Sequence, residues 1–188
     1  MTPDERHWFF AGRRRVVNAV LSRHLLPRTA RRILDCTPED EGLKPLIAEF
    51  GDVTHSTHAA LPQGKWDVAC AFDSLAPSGG IEALSSLHER LVWDGQVVVT
   101  APALPGYSRT QLVSHLSSAG FKVTFVSHFN SVLLPAIVAS RALGGLLPKL
   151  ENELVNRALT ELFGAEALLV GRASMPLGAH LIAVAQRR

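Results

Sequence analysis

The stretch Arg31–Ser56, RRILDCTPEDEGLKPLIAEFGDVTHS, decides how the rest of the chain is read. A short apolar strand ends in Asp35, Leu43 to Phe50 has helical spacing closed by Gly51, and DVTHS comes next as a second strand. This order opens an α/β domain of the kind that binds a nucleotide or nucleoside at its first turn. Such a turn is normally rich in glycine, which lets backbone come close to a ligand. Here it reads Cys36-Thr37-Pro38-Glu39-Asp40-Glu41, and the first glycine is Gly42. The segment is either a binding site with unusual chemistry or a fold whose site has been lost.

Working outward, Val16 to Leu26 is an amphipathic helix stopped by Pro27. After the loop ALPQGK, WDVACAF is apolar on both faces, as a central parallel strand should be. Ile81 to Leu91 predicts a helix, Trp93-Asp94-Gly95 a turn, and QVVVTAPA a fourth strand. Tyr107 to Ala119 is a helix closed by Gly120, and FKVTFVSHF is a fifth strand. A helical region from Ser131 to about Val170 is broken at Gly144-Gly145 and Pro148, and GAHLIAVAQ ends the chain as a sixth strand. The alternation predicts an open, mostly parallel sheet with helices on both faces.

Composition narrows the class. The chain has 188 residues, 47% hydrophobic and 19% charged, the values of one globular domain with a full core. A formal charge of +2 is too small to argue for nucleic acid, and the arginines are local, at positions 13–15 and 31–32. The residues MTPDERHWFFAGRRR do not make a signal peptide, and no run reaches the roughly 18 apolar residues that span a bilayer. Two cysteines, Cys36 and Cys70, make no disulfide framework, which suits a cytoplasmic setting.

Several blocks, in order, resemble class I S-adenosylmethionine-dependent methyltransferases. The likeness is to a small bacterial subgroup that opens with a segment like RHWFFAGRRRVV. RRILD resembles the family's first strand, WDVACAFDSLAP its fourth, and LHERLVWDGQVVVTAPALPG its helix, turn and fifth strand. YSRTQLVSHLSSAGFKVTFVSHFNSVLLP resembles the family's next helix and strand, and MPLGAHLIAVAQR its terminal strand. The resemblance implies a Rossmann-like methyltransferase fold with the last strand antiparallel. It also implies a cofactor lying across the carboxyl ends of the first strands. One domain over 1–188 is expected, with an N-terminal helical cap (1–28), an α/β core (31–128), a helical insertion (129–170) and a terminal antiparallel strand (178–187).

The chain departs from that family where the cofactor is held. The turn Cys36–Glu41 supplies bulk and carboxylates in place of LDxGxGxG. The second strand, which in the family ends in an acidic residue that binds the ribose, runs into Ser56, Thr57 and His58. The family's third strand and its helix are absent between DVTHS and WDVACAF. FDSLAP keeps Asp73 but has Ala76 and Pro77 where LDxLEH has glutamate and histidine. PGG has become Trp93-Asp94-Gly95, and a substrate-side loop before YSRTQL is gone.

The candidates each have a plain alternative. Thr37 or Asp40 can cap the helix near Leu43, with the carboxylates at its positive end, or the turn can hold a cation, an amine or the cofactor's sulfonium. Asp52, His55 and His58 invite a metal, but residues three apart on a strand face opposite ways, and no metal site is expected. Cys36 and Cys70 read as small buried hydrophobes, with a Cys36–histidine nucleophile as the lesser alternative. In HWFFAGRRR, Trp8, Phe9 and Phe10 pack, while Arg13 and Arg14 are either a solvated face or an anion site. Phe129 to Leu147, with Arg141 as its one charge, reads as core or subunit interface before membrane surface.

The expectation is a degenerate methyltransferase-like protein with no cofactor, acting as a homodimer or with a protein partner, a small-molecule ligand being an open alternative. Asp35, Cys36, Thr37, Glu39, Gly42 and Ser56 mark the altered cofactor region. The first alternative is an active S-adenosylmethionine-dependent methyltransferase with a rebuilt cofactor loop, for which His7, Asp73 and Tyr107 are the acceptor-side candidates. The second is different chemistry on the same scaffold.

Overall fold

A computed structural model describes residues 7–25, 30–37, 42–131, 134, 153–170 and 172–188. These residues form helix α1 (Trp8–His24), strand β1 (Arg32–Asp35), α2 (Lys44–Ala48), β2 (Asp52–His55), β3 (Trp66–Phe72) and α3 (Gly80–Arg90). They continue with β4 (Leu91–Pro102), α4 (Arg109–Ser118), β5 (Phe121–Phe129), α5 (Glu153–Val170) and β6 (His180–Arg187).

The strands make one six-stranded sheet in the order β2-β1-β3-β4-β6-β5. β1 to β4 are parallel, and β6 runs antiparallel between β4 and β5. This is the expected Rossmann-like architecture, and among the described residues the sheet ends at β2 with no strand beyond it.

Two cores follow from the period of two along each strand. Val97 and Val99 of β4, with Ala69, Ala71, Leu181 and Ala183, meet Leu84 and Leu87 of α3 and Leu112 and Leu116 of α4. Val98, Val68, Cys70, Ile182 and Val184 point the other way, onto Val16, Val17 and Val20 of α1, Leu46 and Ile47 of α2, and Phe163 and Ala167 of α5.

Some element bounds differ from the sequence reading. α1 begins at Trp8, because the His7 ring caps it by accepting from Phe9 N and Asn156 Oδ1 accepts from Trp8 N at 2.7 Å. Trp93-Asp94-Gly95 lies inside β4 as an irregularity in its pairing with β3, with Asp94 at φ +63°. α4 starts after Tyr107, since Ser108 is its N-cap and accepts from Gln111 N. Of the expected helix over 131–170, Leu134 and α5 are described. The break at Gly144-Gly145 and Pro148, and most of Phe129 to Leu147, lie outside the described residues. No helix among the described residues is long and apolar enough to cross a membrane.

Candidate functional site

β1 is followed by α2 on one face of the sheet and β3 by α3 on the other. The carboxyl ends of β1 and β3 therefore flank a topological switch point, where open α/β sheets leave a ligand crevice. Several polar residues lie at or just beyond these strand ends.

Asp35, the last residue of β1, is buried at 1% exposure. Its Oδ1 accepts from Thr37 N at 3.0 Å, and His55 Nδ1 lies 2.9 Å from its Oδ2. His55 is the last residue of β2 and pairs with Asp35 across the strands. Cys36 N donates to Cys70 O at 2.8 Å, extending the pairing of β1 with β3 by one step. Thr37 Oγ1 accepts from Phe72 N at 3.3 Å, tying the two strand ends together. That bond corrects the capping role expected of Thr37: the N-cap of α2 is Leu43, with no side-chain bond. Gly42 is half-buried in the turn before it, whereas Pro38, Glu39, Asp40 and Glu41 lie outside the described residues.

Ser56 turns away from the crevice. Its Oγ donates to Ala60 O at 2.8 Å and holds the loop after β2, while its N–H donates to Asp35 O. His58 Nε2 lies 3.0 Å from Ser74 Oγ, and its Nδ1 is buried with no hydrogen-bond partner among the described residues. Burial pushes the His58 pKa down, which keeps the ring neutral. His55 and His58 thus serve different neighbours, and no group of three or more His, Cys, Asp or Glu among the described residues is placed to hold a metal ion.

Cys36 and Cys70 are free, buried thiols. Burial, then the Asp35 charge, pushes the Cys36 pKa up to about 12, and the same causes with Cys36 itself push Cys70 well above its ordinary value. A thiol so far above neutral holds almost no thiolate, and His55 is committed to Asp35, so the Cys36–histidine nucleophile is corrected to a packing pair.

At the end of β3, Asp73 adopts φ +52° and donates its N–H to Thr100 O at 2.9 Å. Thr100 Oγ1 donates to Asp73 Oδ1 at 2.9 Å, and Arg13 Nη2 sits 3.0 Å from Asp73 Oδ2. Arg13 is 5% exposed and meets this internal carboxylate, whereas Arg14 is exposed. The pair draws α1 over the sheet edge. α5 fixes the same helix, through Phe163, which fills the space a Cβ on Gly12 would need, and through Glu161, which takes two hydrogen bonds from Arg15 at 3.0 and 3.2 Å.

His7 is exposed, with its ring 5.4 Å from Trp8. Tyr107 is fully buried, and its hydroxyl donates to Ala76 O at 2.7 Å. It ties the loop after β3 to α4, which corrects its expected acceptor-side role. Sequence reasoning missed Thr100 and His180. His180 opens β6 opposite Pro102 on the same edge, between the rings of Phe9 at 5.0 Å and Phe129 at 5.3 Å. The signal for it was the antiparallel last strand, whose first residue must fall at the carboxyl ends of its neighbours.

An adenosyl ligand with a cationic sulfonium fits this donor set. Asp35 and Asp73 supply negative charge at the switch point, and the buried His58 Nδ1 lacks a partner among the described residues.

No family model matches the sequence, and no curated protein matches it. Solved structures do. An S-adenosylmethionine-dependent methyltransferase from Mesorhizobium loti is 14% identical, with a TM-score of 0.51 over 88% of this chain and 95% of its own. A further one from Archaeoglobus fulgidus is 16% identical, with a TM-score of 0.50 over 93% and 94%. Phosphoethanolamine N-methyltransferase 2 of Haemonchus contortus, bound to phosphomonomethylethanolamine and S-adenosylhomocysteine, is 14% identical, with a TM-score of 0.53 over 91% of this chain and 52% of its own. These neighbours overturn the expectation of no cofactor, since they use S-adenosylmethionine and lie over nearly the whole of this chain. The chain has the fold of the class I S-adenosylmethionine-dependent methyltransferases.

Proposed function

We propose that the protein is an S-adenosylmethionine-dependent methyltransferase with a rebuilt cofactor turn. The observation that carries this reading is the carboxyl edge itself: Asp35, Thr37 and Asp73 border the switch point, and the Arg13–Asp73–Thr100 network holds α1 across it.

The cofactor, when bound, supplies an electrophilic methyl group. The chain's own task is then alignment and exclusion of water, since methyl transfer to a good nucleophile needs little acid–base assistance. Asp35 and Asp73 place negative charge beside a cationic ligand, and α1, with Trp8 and Phe9 partly buried, covers the edge. Asp73 is 26% exposed beyond its pairing with Arg13, which keeps it the acceptor-side candidate. His7 remains a second one at the mouth.

Titration calorimetry with S-adenosylmethionine and S-adenosylhomocysteine tests the reading. Micromolar binding is expected; the absence of binding by either contradicts it. Self-association is part of the proposal, supported by Leu162, Leu168 and Leu169, which stand 44%, 67% and 57% exposed along α5. Light scattering on the same sample should give the mass of a dimer.

A further inference from the structure

The loop after β2 crosses the carboxyl end of β1. β2 and β3 lie on either side of β1 and all three strands are parallel, so their carboxyl ends share one edge of the sheet. His58 stands just beyond β2 and Ser74 just beyond β3, and His58 Nε2 lies 3.0 Å from Ser74 Oγ. The contact therefore spans the end of β1, over the switch point. The loop itself is a compact unit. Ser56 N donates to Asp35 O at 2.9 Å, Ser56 Oγ donates to Ala60 O at 2.8 Å, and Ala60 N donates to Thr57 O at 3.1 Å. Leu61 then packs on the α3–α4 face as the chain turns back towards β3. Among the described residues, the His58–Ser74 contact is the one hydrogen bond that ties residues 57–61 to the far side of β1.

We propose that residues 56–60 form a strap latched across the crevice by His58 and Ser74, and that an adenosyl ligand enters only when the latch opens. This inference rests on the methyltransferase reading above. Two heavy atoms 3.0 Å apart leave no room for a ligand atom between them, so the latch and a ligand lying between the ends of β1 and β3 exclude each other. The latch is also weak enough to give way. Burial pushes the His58 pKa down, which keeps the ring neutral, and a bond between two neutral groups is about half as strong as one with a charged partner. His58 Nδ1 is buried with no partner among the described residues, so opening the strap returns an unsatisfied atom to water. On the near side Ser56 is bonded to Asp35, which gives the strap an anchor to swing on when His58 lets go.

The test is titration calorimetry of the full chain with S-adenosylhomocysteine, comparing wild type with His58→Ala, Ser74→Ala and the double variant. A closed strap weakens apparent affinity in proportion to the fraction of molecules it shuts. Each single variant should therefore bind about fivefold more tightly than wild type, the size of one neutral hydrogen bond. The double variant should bind no more tightly than either single one, because both substitutions remove the same bond. Proton spectra of wild type give a readout without a variant: the nuclear Overhauser contact between the His58 ring and the Ser74 methylene should vanish at saturating S-adenosylhomocysteine. If wild type binds and that contact persists in the complex, or both single variants bind no more tightly than wild type, the inference is overturned and the methyltransferase reading survives. Binding by the variants alone supports both. If neither wild type nor any variant binds, that reading falls and the strap falls with it. Should His58→Ala fail to fold, Ser74→Ala and the Overhauser contact decide.

Discussion

The β4–β6–β5 side of the sheet and the β1–β2 side are built to different standards. β4 and β6 pair over seven residues from Gln96 to Pro102, and Val97, Val98, Val99, Ile182, Ala183 and Val184 are wholly buried. β1 and β2 pair over four residues, and β2 has no buried residue at all. The first side carries the fold. The second carries Asp35, Thr37 and His55 at the switch point, on an edge strand that among the described residues is paired on one flank alone. Changes on the β4–β6 side should therefore be read in stability, and changes on the β1–β2 side in binding.

The largest effect is expected from Ile182→Ala. It opens a cavity between β6 and the helices α1 and α5 packed on that face of the sheet, and should lose about 2–5 kcal/mol in urea unfolding. Next is Arg13→Ala, which leaves Asp73 with Thr100 but without its cation and should lose about 3 kcal/mol, the low end for a broken buried pair because Asp73 is partly exposed. A double-mutant cycle with Asp73→Asn should show coupling. Gly12→Ala pushes a methyl to within 2.2 Å of the Phe163 ring and should lose about 1–3 kcal/mol by parting α1 from α5. Tyr107→Phe removes the bond to Ala76 O and should lose about 1 kcal/mol, with cofactor affinity unchanged. A change in affinity there would return Tyr107 to the site.

The smallest effects are in pH. The Cys36 thiol is raised in the folded protein, so its contribution is complete below the ordinary thiol pKa and is lost as pH climbs towards about 12. His58 is lowered, so the unfolded chain takes up its proton first, and stability falls as pH drops below the ordinary histidine range. Urea midpoints across pH should bend down at both ends, and the acid bend should shrink in His58→Gln.

The same division governs what was legible in the sequence. WDVACAF, QVVVTAPA and HLIAVAQ announce themselves as buried strands because apolar side chains on both faces have one explanation. The shortened interval between DVTHS and WDVACAF correctly places β2 at the sheet's end. The site was less legible because its bonds cross long intervals. Nothing local to Arg13 says that it meets Asp73, or local to Thr37 that its hydroxyl serves Phe72 N in place of a helix cap. Nothing local to Tyr107, an acceptor-side candidate in the sequence, says that its hydroxyl serves Ala76 O in the loop after β3. A glycine-poor turn argued against a cofactor, but the crevice is made by where α2 and α3 depart, which the turn's composition does not change.

The central claim is that the carboxyl ends of β1 and β3 hold an adenosyl ligand. Amide NMR spectra recorded during titration with S-adenosylhomocysteine test it most directly. Saturable shifts centred on Asp35, Cys36, Thr37, His55, Asp73 and Ser74 are the predicted result. No shifts at millimolar ligand, or shifts confined to the outer face of α5, would contradict it.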